Sequence, residues 1–398
     1  MSFRYAAGIN KPGFNPLAAG VDQYKGIWSL SGQANAVAAG TWPPFTYLYS
    51  WGNNGSGQLG LGNITYYSSP KQVGTSAAWD SITGGSSFTI ATKTDGTLWT
   101  WGQNSNGQLG LGNTTSRSSP NQVGALTTWL TIAAGAYFSM AIKTDGTLWS
   151  WGRNLNGTLG LNNTTYYSSP KQVGALTTWY KVASGRYHTI SVKTNGTLWS
   201  WGANNFGALG LGNTTYYSSP KQIGALTTWS NVATGFYYSI AIKTDGTIWT
   251  WGRNLEGQLG LGTTSYSVNS PTQVGSLTTW ANIFPGGPGT STRVQKTDGT
   301  LWAWGVNTSG SLGLGNTTNY SSPKQVGALT TWLNVAGGYS YALATKTDGT
   351  LWVWGLNSNG QLGLGNLTSY SSPKQLGSLT TWSKVGCGSS TSLGIAKQ

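Results

Sequence analysis

The chain has 398 residues with 22 Trp and 60 Gly, and its formal charge of +14 arises because only eight carboxylates oppose 22 Lys and Arg. One cysteine and one histidine exclude an intrachain disulfide and a cysteine zinc cluster, and with Asp22, Asp80 and Glu256 the only acids outside turns nothing in the sequence assembles a catalytic triad or acid pair. No 18-residue apolar run and no apolar leader occurs in it, so the chain is expected to be made in a cytoplasm without a signal peptide or membrane span.

Residues 1–44 differ from everything after them. They are rich in Gly, Ala, Asn and Pro, with one short amphipathic candidate from Leu30 to Ala39 ahead of Gly40-Thr41-Trp42-Pro43-Pro44. Such a segment cannot build its own core. It is read as an extended N-terminal arm that docks on a partner, with Trp28, Leu30 and Trp42 as anchors, and residues 45–398 form the second domain.

From Tyr47 onward the chain repeats. A Trp-Gly step recurs at Trp51, Trp101, Trp151, Trp201, Trp251, Trp304 and Trp354, spaced 50, 50, 50, 50, 53 and 50 residues apart. A period near 50 made of short strands marks a propeller or similar array. The most regular unit, Lys143-Thr144-Asp145-Gly146-Thr147-Leu148-Trp149-Ser150-Trp151-Gly152, reads as a tight hairpin, with both Asp145 and Gly146 expected at positive φ. The third copy has Asn195-Gly196, which suits the same turn. Along the outgoing strand Trp149 and Trp151 share one face, and Leu148 and Ser150 the other. Both faces carry bulk, as a sheet packed between two neighbours requires.

Between hairpins each copy carries a loop like Asn104-Ser105-Asn106-Gly107-Gln108-Leu109-Gly110-Leu111-Gly112-Asn113, then Ser119-Pro120-Asn121-Gln122-Val123, then Trp129-Leu130-Thr131-Ile132-Ala133-Ala134-Gly135. The loop lacks the Gly-Lys-Ser/Thr ending and helix of a phosphate cradle, so its role is structural. The other two segments are strands, giving four per blade. The first copy lacks its opening strand, and Ser392-Leu393-Gly394-Ile395-Ala396 at the far end supplies it. The fold expected is an all-β, seven-bladed propeller of four-stranded blades closed by N- and C-terminal strands, without free sheet edges.

Five of the eight acids, Asp95, Asp145, Asp245, Asp298 and Asp348, fall in hairpin turns, and the lysines recur once or twice per repeat. These lysines are read as rings on a solvated rim. No run of adjacent Lys or Arg exists, so a nucleic-acid partner is not expected. No ligand set for a metal or cofactor stands out, and Cys387 reads as a small buried residue. Positions that vary between copies lie after the Val-Ala-x-Gly motif and after Trp-Gly. The first set includes Tyr137, Phe138, Arg186, Tyr187, His188, Phe236, Tyr237, Tyr238, Tyr339 and Tyr341. They are the candidate ligand- or receptor-binding residues, forming an aromatic and cationic surface at one end of the disc. The alternative is that these aromatics pack between blades.

The motif Trp-Gly-x-Asn-x-x-Gly-Gln-Leu-Gly-Leu-Gly, with Pro-x-x-Val, Val-Ala-x-Gly and Asp-Gly-Thr-Leu-Trp-Ser-Trp-Gly, resembles the regulator-of-chromosome-condensation repeat from about Tyr47 to Gln398. That resemblance implies a seven-bladed propeller with similar closure. In the family one member promotes nucleotide exchange on the small GTPase Ran and binds chromatin, and another is a plant ultraviolet photoreceptor. The chain lacks the inserted wedge of the first, and Gly185-Arg186-Tyr187-His188-Thr189 lacks the sensing Trp of the second. In the arm, Gly26-Ile27-Trp28-Ser29-Leu30-Ser31-Gly32-Gln33-Ala34 followed by Ala38-Ala39-Gly40-Thr41-Trp42-Pro43 is similar to N-terminal segments of tailed-bacteriophage virion proteins. The combined expectation is a non-enzymatic virion protein, with no cofactor and no metal. Its arm would dock to other virion proteins, and its propeller would be displayed toward a host-surface glycan or protein, as a homo-oligomer in one version. The alternative reading is an intracellular propeller scaffold that binds a protein partner, or a chromatin- or nucleic-acid-binding propeller.

Overall fold

Each hairpin of the repeat forms the middle of a four-stranded antiparallel sheet, because both of its faces are apolar and each needs a neighbour. The computed structural model describes residues 45–284 and 289–397, so the arm anchors Trp28, Leu30 and Trp42 lie outside the described residues. Among those described, every regular element is a strand, and no helix is long and apolar enough to cross a membrane. In blade 2 the strands Trp129–Ala134, Phe138–Lys143, Leu148–Gly152 and Tyr167–Gln172 follow one another across the sheet. Blades 1, 3, 4, 5 and 6 repeat that order over residues 79–122, 179–222, 229–273, 280–325 and 332–375. The first strands touch one another around the ring and so line the axis. Contrary to expectation, ring closure does not remove every sheet edge: the Ser-Pro-containing fourth strands remain outer edges, where a residue without an N–H is tolerated.

The alternation of side chains sends each blade into both neighbours. Met140, Ile142 and Leu148 of blade 2 pack on Trp179, Val182 and Trp201 of blade 3, while Trp129, Ala141 and Trp151 pack on Ile90 and Leu98 of blade 1. Every Trp-Gly indole is fully buried, which removes roughly 150–250 Å² from water and contributes roughly 4–6 kcal/mol. Each also donates its N–H to a carbonyl in the glycine-rich loop of the preceding blade, as Trp151 Nε1 does to Gln108 O at 2.9 Å. Within that loop Asn104 Oδ1 accepts the Leu109 N–H at 2.9 Å, and its Nδ2 donates to Asn113 O and Thr115 O. The loop is thus a socket for the next indole.

Blade 7 closes the ring as the sequence implies. Trp382–Cys387 and Thr391–Lys397 pair with Thr46–Gly52 and Tyr67–Gln72 in one sheet. Leu48 shares a buried cluster with Leu393 and Ile395, and Trp51 Nε1 donates to Gln361 O of blade 6 at 3.0 Å. Thr391 Oγ1 donates to Asn53 O at 3.0 Å across the seam.

Two local expectations are corrected. The Asp-Gly turn does not need positive φ at both positions: Gly146 has φ +76, whereas the non-glycine residues with positive φ among those described are Ala78 and Asn162. Gly146 N–H donates to Lys143 O at 2.9 Å, giving a right-handed turn followed by a left-handed glycine. Asp145 serves it through Oδ1, which accepts from both the N–H and the hydroxyl of Thr147 at 2.9 and 2.7 Å. These bonds hold its carboxyl below the usual range. The hairpin lysines, in turn, are not on a solvated rim. Lys143 is buried, with Nζ 3.8 Å from the Trp149 ring and 5.0 Å from Trp129, because an ammonium between two indoles gains cation–π contacts while its stem covers apolar surface. Fourth-strand lysines such as Lys171, over Tyr167, do stay exposed.

Candidate functional site

The first strand of each blade ends near the axis and turns into the second through a Gly-x-x corner, so residues at equivalent corners lie in adjacent blades. Tyr137, Tyr187 and Tyr237 occupy one such position in blades 2, 3 and 4. Their rings form a row, with centroids 6.5 Å apart for Tyr137 and Tyr187 and 6.1 Å for Tyr187 and Tyr237. Phe206 continues it, 5.1 Å from Tyr237 and 5.2 Å from Tyr266. On the axial side Phe236 lies 4.7 Å from Tyr237 and 6.3 Å from Tyr339.

Arginines are threaded through this arc. Arg153 lies 5.3 Å from the rings of both Tyr137 and Tyr187. Arg186 lies 5.1 Å from Tyr187 and 4.2 Å from Phe236. Arg253, 6.0 Å from Phe206, pairs with Glu256. Among the described residues Arg153 and Arg186 have no ion pair. Stacking on rings fixes both guanidiniums without neutralising them, so the arc is a positively charged, pre-organised surface. Tyr339 is 49% and Tyr266 64% exposed, while the other rings of the arc are half-buried.

Of the candidate residues, the structure brings Tyr137, Arg186, Tyr187, Phe236, Tyr237 and Tyr339 together on this face. Phe138, His188, Tyr238 and Tyr341 are corrected: all four are buried between blades. The reason is the glycine three residues earlier. A Cβ on Gly135 would stand 2.1 Å from the Phe138 ring, and one on Gly235 1.9 Å from the Tyr238 ring, so the bare glycine makes room for a large side chain tucked beneath the corner. There His188 Nε2 meets Ser239 Oγ at 3.0 Å, Tyr238 OH accepts from Thr292 Oγ1 at 3.1 Å, and Tyr341 OH donates to Thr391 O at 2.6 Å. Burial lowers the His188 pKa to about 4 and raises that of Tyr238 to about 12. Cys387 is buried too, and its thiol is pushed up to about 12, which leaves it unreactive as a nucleophile.

Sequence reasoning left Arg153, Phe206 and Arg253 as variable positions without a site role, and passed over Tyr266. The signal for Tyr266 was the extra residue before Pro271: the third and fourth strands of blade 4, Ile248–Asn254 and Ser265–Gln273, run longer than their equivalents and bring it beside Phe206. Also missed was Arg293, which is fully buried where blade 2 has Met140; its Nη2 donates to Ser311 O at 2.8 Å, while Nε and Nη1 have no acceptor among the described residues. At the opposite end of the first strands Leu126, Leu176, Leu226, Leu277, Leu329 and Leu379 form an exposed set, legible only as the repeated Leu-Thr-Thr-Trp. Among the described residues, no group of three or more His, Cys, Asp or Glu could hold a metal ion.

The family model for the regulator of chromosome condensation (RCC1) repeat matches seven times, at residues 47–92, 95–142, 145–192, 195–242, 245–287, 298–345 and 348–395. The chain belongs to the RCC1 repeat family. RCC1-type propellers of known structure superpose on it closely. The crystal structure of human WBSCR16 is 24% identical with a TM-score of 0.79, over 89% of this chain and 99% of that one. Prp20p of Saccharomyces cerevisiae, described with its binding to Gsp1p and histones, is 20% identical with a TM-score of 0.80, over 89% and 92% of the two chains. Yeast RCC1 (Prp20) bound to Kap60 gives 20% and 0.79, over 89% of each. At these identities the likeness is one of fold. A search of the curated proteins gives no match.

Proposed function

We propose that this RCC1-type propeller is a non-enzymatic binding module that engages a protein partner through the aromatic and arginine arc of blades 2 to 4. The observation that carries it is the clustering of Arg153 and Arg186, unpaired and stacked on Tyr137, Tyr187 and Phe236, at one end of the disc. Aromatic residues and arginine are the side chains that dominate binding energy at protein interfaces, and stacking on the rings already restricts these arginines before a partner arrives. The yeast propellers described with Gsp1p, histones and Kap60 support a protein as the partner.

The test is a photo-crosslinking amino acid placed at Tyr237, and separately at Leu226 on the opposite end, in the organism that makes the protein. A discrete adduct from position 237, absent from position 226 and lost in an Arg153→Ala, Arg186→Ala double variant, is expected. Adducts of equal yield at both positions, or none at 237, would overturn the proposal. Residence on a tailed-phage particle, with residues 1–44 as the docking arm, is a proposal from sequence alone. Mass spectrometry of purified particles tests it: absence of the polypeptide would sink it.

A further inference from the structure

Blades 2 and 3 enclose a groove of about 370 Å³ on the flank of the disc, away from the arginine arc. Leu161, Val173, Leu176 and Pro220 give it apolar lining, and Trp179, Trp199 and Lys193 line it as well. A volume of that order is in the range of small-molecule sites.

Two departures from the repeat coincide at this one groove. In every other hairpin with this lysine, the turn carries an aspartate two residues later: Asp95, Asp145, Asp245, Asp298 or Asp348. The closest such pair, Lys346 and Asp348, is a salt bridge of 3.2 Å. After Lys193 that position holds Asn195 instead. The Lys193 Nζ sits 3.6 Å from the Trp199 ring and 4.7 Å from Trp179, and it has no hydrogen bond or ion pair among the described residues. Burial pushes its pKa down from the ordinary lysine value, and no carboxylate opposes that shift. The second departure is Asn162, at φ +59, where the other six copies have glycine. A left-handed backbone disfavours a side chain, yet an asparagine stands here and lines the groove. At the equivalent Gly112 an added Cβ would meet nothing nearer than Ser169 Oγ at 3.7 Å, so the side chain has room. A third feature is shared with other blades: the indole N–H of Trp179, a residue 3% exposed, has no acceptor among the described residues.

We infer that this groove binds a small monocarboxylate with a ring or branched apolar body. The carboxylate sits against the Lys193 ammonium and the donors of Asn162 and Trp179, and the body lies on Leu161, Val173, Leu176 and Pro220. An unpaired ammonium in a partly dry groove selects an anion, since charge-assisted hydrogen bonds there are about twice as strong as neutral ones. The apolar wall selects against a bare inorganic ion.

The test is calorimetric titration of the full chain with benzoate, benzamide and inorganic phosphate. Benzoate should saturate one site per chain, with benzamide and phosphate each at least about tenfold weaker. Asn195→Asp restores the aspartate of the other hairpins without disturbing the fold, which thermal melting would check, and it should weaken benzoate by about tenfold or more. Asn162→Gly should weaken it less. Benzamide binding as tightly as benzoate, phosphate binding more tightly, no saturable benzoate binding, or an unchanged benzoate affinity in Asn195→Asp would each overturn the inference.

Discussion

His188 shows how a residue can look like a site and be a core. Within the repeat its position holds Phe88, Phe138, His188, Tyr238 and Tyr341, with Ser291 and Thr391 in the other two copies, and that variation suggested a free surface. The structure gives another cause. The three polar ones each meet a partner in the next blade, Ser239 for His188, Thr292 for Tyr238 and Thr391 for Tyr341, so the variation among them is accommodation inside an interface. One consequence is measurable. Burial lowers the pKa of His188 to about 4, against about 6.5 in an unfolded chain. The unfolded state therefore takes up the proton first, and the stabilising contribution is intact above about pH 6.5 and lost as pH falls toward 4, amounting to roughly 3 kcal/mol. His188→Phe, which writes in the residue of blades 1 and 2, is expected to abolish that part of the acid sensitivity. Urea unfolding of both proteins at pH 7 and pH 4.5 reads it: the gap between them should shift in favour of the variant at the lower pH.

At the scale of one element, the Gly-Leu-Gly loop was readable as structural but its task was not. The glycines are there for two separable reasons. Gly110 has φ +73, and a Cβ on it would also stand 2.7 Å from Trp151 Nε1. Gly124 has φ +61 with nothing within 4 Å. Gly124→Ala should therefore cost about 1–2 kcal/mol from backbone strain alone. Gly110→Ala should cost at least about 1–3 kcal/mol more, because the loop must retreat from an indole it holds by a hydrogen bond at 2.9 Å. Chemical denaturation of the two variants gives the comparison, and equal losses would remove the socket role from the loop. The lysine of the hairpin repeats the lesson. Its spacing was visible, but that Lys143 lies between Trp129 and Trp149 depends on the first and third strands flanking the second strand that carries it.

At the scale of the molecule, stability is tied to closure. Seven indoles each reach into the preceding blade, and the last link, Trp51 to Gln361, joins residues 310 apart in sequence. Blade 7 is the one blade whose second and third strands lack a covalent turn: Thr391–Lys397 and Thr46–Gly52 are neighbours in the sheet but opposite ends of the described chain. Joining residue 397 to residue 46 through an Asp-Gly turn, by cyclisation of a chain without residues 1–44, should raise the unfolding free energy by about 3–5 kcal/mol, chiefly by restricting the unfolded state. Denaturant titration of the cyclic and linear forms would show it, and no gain would mean that the seam is not where the ring opens.

What the sequence determined alone was everything that repeats: the blade count, the four strands, the shared seventh blade and the glycine punctuation. Periodicity and turn chemistry are local properties, written seven times. Only the tertiary structure decided which variable residues face water. Tyr187 and His188 are adjacent in the chain, yet one joins a surface row and the other lies under a glycine, because successive residues entering a strand point to opposite sides, and which side is solvent depends on the neighbouring blade. That Asn162 and Lys193 line one groove follows from the same cause, since the groove exists only where two blades meet.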